Sequence, residues 1–144
     1  MPKSVSAANS IIDLLYSAIT WANVAINATT SPLTAIFVAL HTASPTPSGS
    51  GQNENETSYT NYVRQSTARS TGWNAASGGQ TANAAQINFP QCGATGATLT
   101  HVSTGSASSG AGGVFHYGPL NSSLAVANGI TPQFAAGALT VTES

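Results

Sequence analysis

The sequence has very few charged side chains. Asp, Glu, Lys and Arg make up 5% of the 144 residues, against roughly 25% in an average soluble domain. The only cations are Lys3, Arg64 and Arg69, so no basic patch can neutralise a run of phosphates. We therefore expect no binding to nucleic acid and none to anionic membranes. With a formal net charge of −1, copies of the chain repel one another weakly, which favours association.

Cysteine and long apolar runs are equally scarce. The single cysteine, Cys92, cannot close an intramolecular disulfide, and we interpret it as a small buried side chain of a protein made in a reducing cytosol. The most apolar run, residues 33–40, is too short to span a membrane. Asp13 interrupts the apolar segment near the N-terminus, so we expect no secretory signal.

Groups suited to acid–base or metal chemistry are few and scattered. The acidic residues fall in the predicted helix, in a loop and near the C-terminus, which predicts no rigid acid–base pair; they are Asp13, Glu54, Glu56 and Glu143. His41, His101 and His116 lack the close spacing of metal ligands, and we expect them to be strand residues held by backbone hydrogen bonds. We expect no enzymatic activity, no cofactor and no metal. A zinc hydrolase that uses the three histidines is the formal alternative.

The N-terminal region carries a helical pattern. Apolar residues recur at three- and four-residue steps from residue 6 to about residue 26, which predicts one amphipathic helix. Ser4 or Ser6 is expected to cap its start, and Pro32 follows its predicted end. Leu14 and Trp21 belong to a second apolar stripe beside the first. This extra flank packs either within the domain or against a neighbouring subunit.

The remainder of the chain carries strand patterns. Residues 33–40 contain one polar side chain, Thr34, which predicts a strand buried on both faces with Phe37 in the core. Residues 41–58 follow as a long polar loop, expected to be solvated and dispensable for folding. About eight short strands are predicted in all, and the segments at 99–104 and 114–120 are expected to form a hairpin. Another strand is predicted over residues 59–69, where alternation places Tyr62 and Arg64 on one face. The pattern favours a mainly β sandwich or barrel behind one helix.

Several residues are candidates for an assembly interface. Tyr59, Tyr62 and Trp73 carry large contact areas with polar groups attached, which suits an interface anchor or a sugar platform, although aromatic residues in strands are commonly core. Together with the second helical stripe they make up the predicted interface, which consists of Leu14, Trp21, Tyr59, Tyr62 and Trp73.

The order of several motifs is similar to that of a known family. The motifs are IFVALHTASP (36–45), NENETSYTNYVRQS (53–66), Trp73, INFP (87–90), TLTHVSTGS (98–106), VFHYGPL (114–120) and NGITPQFAAGALTVT (128–142). In these motifs the chain resembles small virion proteins of tailed bacteriophages, often labelled tail-fibre proteins, several of which look like capsid cement, or decoration, proteins.

The resemblance implies a fold and a location. The implied fold is a jelly-roll-like antiparallel β-sandwich over residues 33–144. The amphipathic helix predicted above and its linker, over 1–32, are expected to pack on or next to it. The implied protein is made in the host bacterial cytoplasm and lies on the capsid exterior of the virion. There a dimer or trimer binds the major capsid protein and stabilises the icosahedral shell. The alternative is a tail or tail-tip component with a glycan-binding surface.

Overall fold

The fold is mainly β, with antiparallel sheets and one short N-terminal helix in the part of the chain that the structure describes, which confirms the predicted fold class. The structure is a computed structural model and describes residues 3–25, 32–45 and 51–143. The elements are α1 (Val5–Ile12), a π-helical turn (Asp13–Ser17), β1 (Ala35–His41), β2 (Gln65–Ala68), β3 (Gln80–Ala82), β4 (Ile87–Asn88), β5 (Ala97–Gly105), β6 (Val114–Val126), β7 (Gln133–Phe134) and β8 (Thr140–Thr142).

The strands of the described residues form three sheets. The largest has four strands in the order β2-β1-β5-β6, and the others pair β3 with β8 and β4 with β7. The jelly-roll arrangement stays a prediction. None of the helices within the described ranges has the length and apolarity needed to cross a membrane.

The chain divides into two compact units. The helix unit consists of Met1–Ala35, Thr67–Ile87 and Phe134–Ser144, and the sheet unit consists of Ile36–Ser66 and Asn88–Gln133. The boundaries fall inside β1, β2, β4 and β7. The predicted division of the sequence into 1–32 and 33–144 stays a prediction.

Strand β1 is the buried strand of the sheet unit, as predicted. It pairs antiparallel with β5, from Phe37 opposite Gly105 to His41 opposite His101. Ile36 and Val38 are 0% exposed, whereas Phe37 is half-buried. Phe37 is therefore less covered than expected. It lies near the start of β1, where Ala35 on the same face is also half-buried, whereas Ala39 and His41 further along that face are 0% exposed.

Strands β5 and β6 form the predicted hairpin. Their ladder runs from Ala97 opposite Val126 to Gly105 opposite Val114, and its register shifts twice. At the larger shift, residues 120–123 of β6 lie opposite the single residue Thr100 of β5. We call this four-residue excursion the β6 bulge.

The helix of the helix unit starts as predicted but ends early. Ser4 caps α1, with its Oγ accepting a hydrogen bond from the Ala7 N–H at 3.2 Å. The helical backbone ends at Ser17, and Ala18 has a left-handed conformation with φ 57°. The predicted continuation to about residue 26 is wrong, and residues 26–31, which contain the predicted end, lie outside the described residues.

Arg69 provides the physical reason for the early end. The N–H groups of Ala18 and Ile19 both bond to the carbonyl of Asp13, so the carbonyls of the following two residues lack their usual helical donors. The Arg69 guanidinium donates to these two carbonyls, of Leu14 and Leu15, and caps the helix end. Burial lowers the pKa of Arg69.

Two polar side chains of the helical segment bond to another part of the helix unit. Asn9 Oδ1 accepts from the Gly79 N–H at 2.6 Å, and Asp13 Oδ1 accepts from the Ala76 N–H at 2.9 Å. Both side chains therefore fasten the helix to the segment that leads into β3. Each satisfies a backbone donor that would otherwise need water.

Candidate functional site

Arg64 is the centre of a hydrogen-bond cluster in the sheet unit. Its Nε and Nη2 form a bidentate ion pair with the Glu56 carboxylate, with both N···O distances at 2.7 Å. Nη1 donates to Gln52 Oε1 at 3.3 Å and to the Ala107 carbonyl at 2.8 Å, and Nη2 also donates to the Gly110 carbonyl at 2.6 Å. All five N–H groups of the guanidinium thus have acceptors. Arg64 thereby joins three separate stretches of the chain.

The cluster contradicts the expectation of a solvated loop over residues 41–58. Gln52 is 0% exposed and Thr57 is 4% exposed, and Gln52 Nε2 donates to the carbonyl of Phe37 at 2.7 Å. Gly105 is required beside it, because a Cβ there would collide with the backbone carbonyl oxygen of Gly113 as well as with Gln52 Oε1. The part of this loop near the cluster belongs to the core, so its deletion is expected to destabilise the fold. Residues 46–50 lie outside the described residues.

Tyr62 completes the cluster. Its hydroxyl donates to Glu56 Oε1 at 2.8 Å and accepts from the Leu40 N–H at 3.1 Å, and burial raises the pKa of Tyr62 well above its usual range. The predicted strand over 59–69 is confined to β2, Gln65–Ala68, because residues 59–62 form a turn closed by the Tyr62 N–H and the Tyr59 carbonyl. The predicted pairing of Tyr62 with Arg64 on one side is nevertheless observed, since both contact Glu56.

An open groove of about 450 Å³ lies beside this cluster. One wall is formed by residues 56–64 and the other by residues 108–110. Its volume falls within the roughly 300–1,000 Å³ typical of small-ligand sites. Arg64 bonds to residues of both walls and therefore fixes the width of the groove. We call it the Arg64 groove.

His41 is a structural histidine of the kind predicted. It is 0% exposed, with Nδ1 2.9 Å from the Glu54 carbonyl and Nε2 2.8 Å from Ser103 Oγ. Because a carbonyl can only accept, Nδ1 carries the proton and Nε2 accepts from the Ser103 hydroxyl. Burial lowers the pKa of His41. His101 lies opposite it in the ladder, but within the described ranges no three His, Cys, Asp or Glu side chains cluster where they could hold a metal ion.

The other acidic residues are used in structural contacts. Asp13 bonds to the Ala76 N–H as described above, and Glu143 forms an ion pair with Lys3. The carbonyl of Glu54 accepts from His41. The absence of enzymatic activity stays a prediction. Cys92 is a free, buried cysteine, which confirms its interpretation as a small core side chain.

The predicted interface residues of the helix unit differ in exposure. Trp73 is 4% exposed, packs edge-to-face on Tyr16 with ring centroids 4.6 Å apart, and donates Nε1–H to Thr67 Oγ1 at 2.9 Å. Leu14 and Trp21 are half-buried. They do not share one helical stripe, since the helix ends between them.

The predicted interface residues of the sheet unit lie together. Tyr59 and Tyr62 pack edge-to-face at 5.3 Å, and the Tyr59 hydroxyl donates to the Pro90 carbonyl at 2.9 Å. Tyr59 is 2% exposed, and burial raises its pKa to about 12. Contact through the Tyr59 or Trp73 ring would require the ring to leave a buried position. The assembly role of the five residues stays a prediction.

The β6 strand offers an exposed surface that no sequence motif indicated. It is one of the two edge strands of the four-stranded sheet, and residues 121–125 are all exposed, as is Tyr117. No charged residue occurs between Arg69 and Glu143, so the whole strand is uncharged. Edge strands commonly carry charges that discourage pairing with other chains, and β6 has none.

The described structure defines a small, mainly β protein with one short helix, whose charged groups are used largely in its own internal contacts. Residues 4–142 match the model of the family described as Podophage GP4 fiber I protein gp80. The chain therefore belongs to this family, and it is a structural protein of a bacteriophage virion. Among curated proteins, no match to the chain was found.

Proposed function

We propose that the chain is a fibre-type structural subunit of the virion and acts by binding, without enzymatic activity. The observation that carries this proposal is the family match over residues 4–142, since the family is described as a fibre protein. A structural subunit needs a stable body and a surface for neighbours. Both are consistent with a buried β core and with the exposed, uncharged β6 strand.

The positively charged side chains are all engaged within the chain, which favours protein partners over nucleic acid or membrane. Lys3 pairs with Glu143, Arg64 pairs with Glu56, and Arg69 caps the helix. These are the only Lys and Arg residues of the chain. None is therefore left to bind phosphates, so we propose that the partners are other virion proteins and further copies of the chain.

A second candidate function is capsid decoration. Here a dimer or trimer would bind the major capsid protein on the outside of the icosahedral shell and stabilise contacts between capsid proteins. The motif resemblance described above favours this role, as does a surface with few charges, because many weak and equivalent contacts then add through avidity.

Locating the chain in purified virions tests the two functions against each other. A fibre subunit is expected in a few tens of copies or fewer, in density that projects from the tail region. A decoration protein is expected in hundreds of copies that follow the symmetry of the shell. Quantitative mass spectrometry gives the copy number, and an electron cryo-microscopy map gives the position. A chain absent from purified virions would contradict both functions.

A further inference from the structure

The Arg64 groove can accept an uncharged, partly apolar partner. Its two charged side chains, Glu56 and Arg64, are paired with each other, so neither is available to a charged ligand. Val63 lines the groove and is 57% exposed. The volume of about 450 Å³ is that of a small-ligand site, which holds a few side chains rather than a whole helix or strand. The groove therefore fits the tip of a short, uncharged turn.

Thr57 shows that the groove also lacks a polar partner. It lines the groove and is 4% exposed, and its hydroxyl has no hydrogen-bond partner among the residues that the structure describes. A buried hydroxyl without a partner costs free energy. A backbone group of a turn that enters the groove would supply the missing bond once the Thr57 side chain rotates toward it.

A turn of this kind lies in the helix unit. Residues 21–25 are closed by two backbone hydrogen bonds between Trp21 and Ala25, one in each direction, at 2.8 and 2.9 Å. Asn23 near the tip has a left-handed conformation with φ 61°, which asparagine adopts more readily than most residues. Val24 is 65% exposed, the highest value of any large apolar side chain in the described ranges. The turn therefore presents an apolar side chain on a fixed backbone.

Charge does not oppose a contact between this turn and the groove. No charged residue occurs between Asp13 and Glu54 in the sequence, so the turn buries no charge when it enters a partner. One chain thus carries an exposed apolar projection and an uncharged groove of suitable size. Because the two surfaces differ, a contact between copies is heterologous, and each copy offers its turn to one neighbour and its groove to another.

We propose that the turn over residues 21–25 of one copy inserts Val24 into the Arg64 groove of a second copy, beside Val63. This inference rests on the proposed function and deepens it, because the proposed partners include further copies of the chain. The contact places Trp21 and Tyr62, two of the predicted interface residues, on its opposite sides. It is small, so we expect a dissociation constant of about 10–1,000 µM.

Sedimentation equilibrium of the full chain, at concentrations up to about 1 mM, measures this association. Val24→Asp is expected to weaken it at least about tenfold, because a charge replaces an apolar side chain that the contact buries. Val63→Asp is expected to have the same effect from the side of the groove. Val5→Asp is the matched control, since Val5 is 60% exposed on α1 and the change adds the same charge. Association of this variant is expected to equal that of the wild-type chain.

Mixing the two variants tests the direction of the contact. The Val24→Asp copy keeps its groove and the Val63→Asp copy keeps its turn. The mixture is therefore expected to form a one-to-one complex, although neither variant associates with itself. Thr57→Val removes the unpartnered hydroxyl, so it is expected to raise the unfolding midpoint of the dilute chain and to weaken association.

Several results would overturn the proposal. These are a wild-type chain that stays monomeric throughout the concentration range, unchanged association of a folded Val24→Asp variant, equal loss in Val5→Asp, and a mixture that forms no complex. Circular dichroism checks that each variant is folded. A monomeric chain that is present in virions loses the groove contact and keeps the virion role, because copy number and position are measured separately. Likewise, a chain absent from virions that still associates through the groove keeps the contact and loses that role.

Discussion

At the scale of single residues, the scarce charges serve the fold. Arg64 and Arg69 are both buried, at 7% and 9% exposure, and both donate to backbone carbonyls from distant stretches of the chain. A planar guanidinium with five donors can do this, and a lysine cannot. Because both arginines are used inside the fold, they hold distant stretches of the chain together and contribute little charge to the surface.

Removing Arg64 should destabilise the chain far more than removing Lys3. Arg64→Met leaves the Glu56 carboxylate largely buried without its partner, and we expect a loss of about 3–5 kcal/mol in the free energy of unfolding. Lys3→Met breaks a partly exposed ion pair and should cost less than about 1 kcal/mol. Urea unfolding of both variants measures the difference. Similar losses in the two variants would contradict a structural role for Arg64.

His41 should make stability depend on pH. Its folded-state pKa lies below the unfolded value of 6.5 because of burial, so the unfolded chain takes up the proton first as pH falls. The contribution of the neutral histidine is complete above pH 6.5 and is lost as pH falls from there through the folded pKa.

Urea unfolding at pH values above and below 6.5 measures this dependence. We expect His41→Gln to flatten it and His101→Gln to keep it. A wild-type midpoint that rises on acidification through this range, or one unaffected by His41→Gln, would count against the assignment.

At the scale of elements, the sequence predicts those strands whose signal lies within a few neighbouring residues. Strand β1 follows from its apolar run, and the β5–β6 hairpin follows from two strand patterns joined by a glycine-rich turn. The end of the helix could not be predicted in this way, because the apolar spacing continues past Ser17. The helix-end carbonyls instead accept hydrogen bonds from Arg69, which is 54 residues from Leu15 in the sequence. Tertiary contacts of this range leave no local signal in the sequence.

The candidate site shows the same limit. Alternation predicted that Tyr62 and Arg64 share one side, and this is confirmed. Glu56 was interpreted as a solvated loop residue because its neighbours are polar, and the contacts of Arg64 with Ala107 and Gly110 span 43 and 46 residues. The rarity of charge was the only available signal, since a chain with few ions tends to pair those that it buries.

The buried strand allows a direct test of the corrected core. Leu40 is 2% exposed, so Leu40→Ala should cost about 2–5 kcal/mol of stability by loss of burial and creation of a cavity. Phe37→Ala should cost less than Leu40→Ala, because Phe37 is half-buried. Chemical denaturation of both variants decides the order. A larger loss for Phe37→Ala would restore the original expectation from the sequence.

At the scale of the whole molecule, the distribution of charge limits which interactions can form contacts with neighbouring proteins. The charges lie in residues 3–69 and at Glu143, and the hairpin and both of its strands carry none. Contacts made through this half of the sequence must rest on apolar surface and hydrogen bonds. Such contacts are weakly screened by salt.

Attachment of the chain to virions should therefore resist salt. If the proposed virion contacts use β6, raising the salt from about 0.1 M to about 1 M should leave the bound fraction unchanged, since the shorter Debye length has no ion pairs to weaken. Sedimentation of purified virions followed by quantification of the released chain measures this. Release that rises steeply with salt would indicate contacts through the few charged residues instead.

The β6 bulge shortens the edge with which another chain could pair. An uncharged edge strand of thirteen residues would offer a long row of backbone N–H and C=O groups for strand pairing between chains. Four residues leave the ladder opposite Thr100, which divides the strand into two shorter paired stretches and bends the edge. A second chain could therefore extend the sheet along only one of these stretches at a time, which limits pairing between copies.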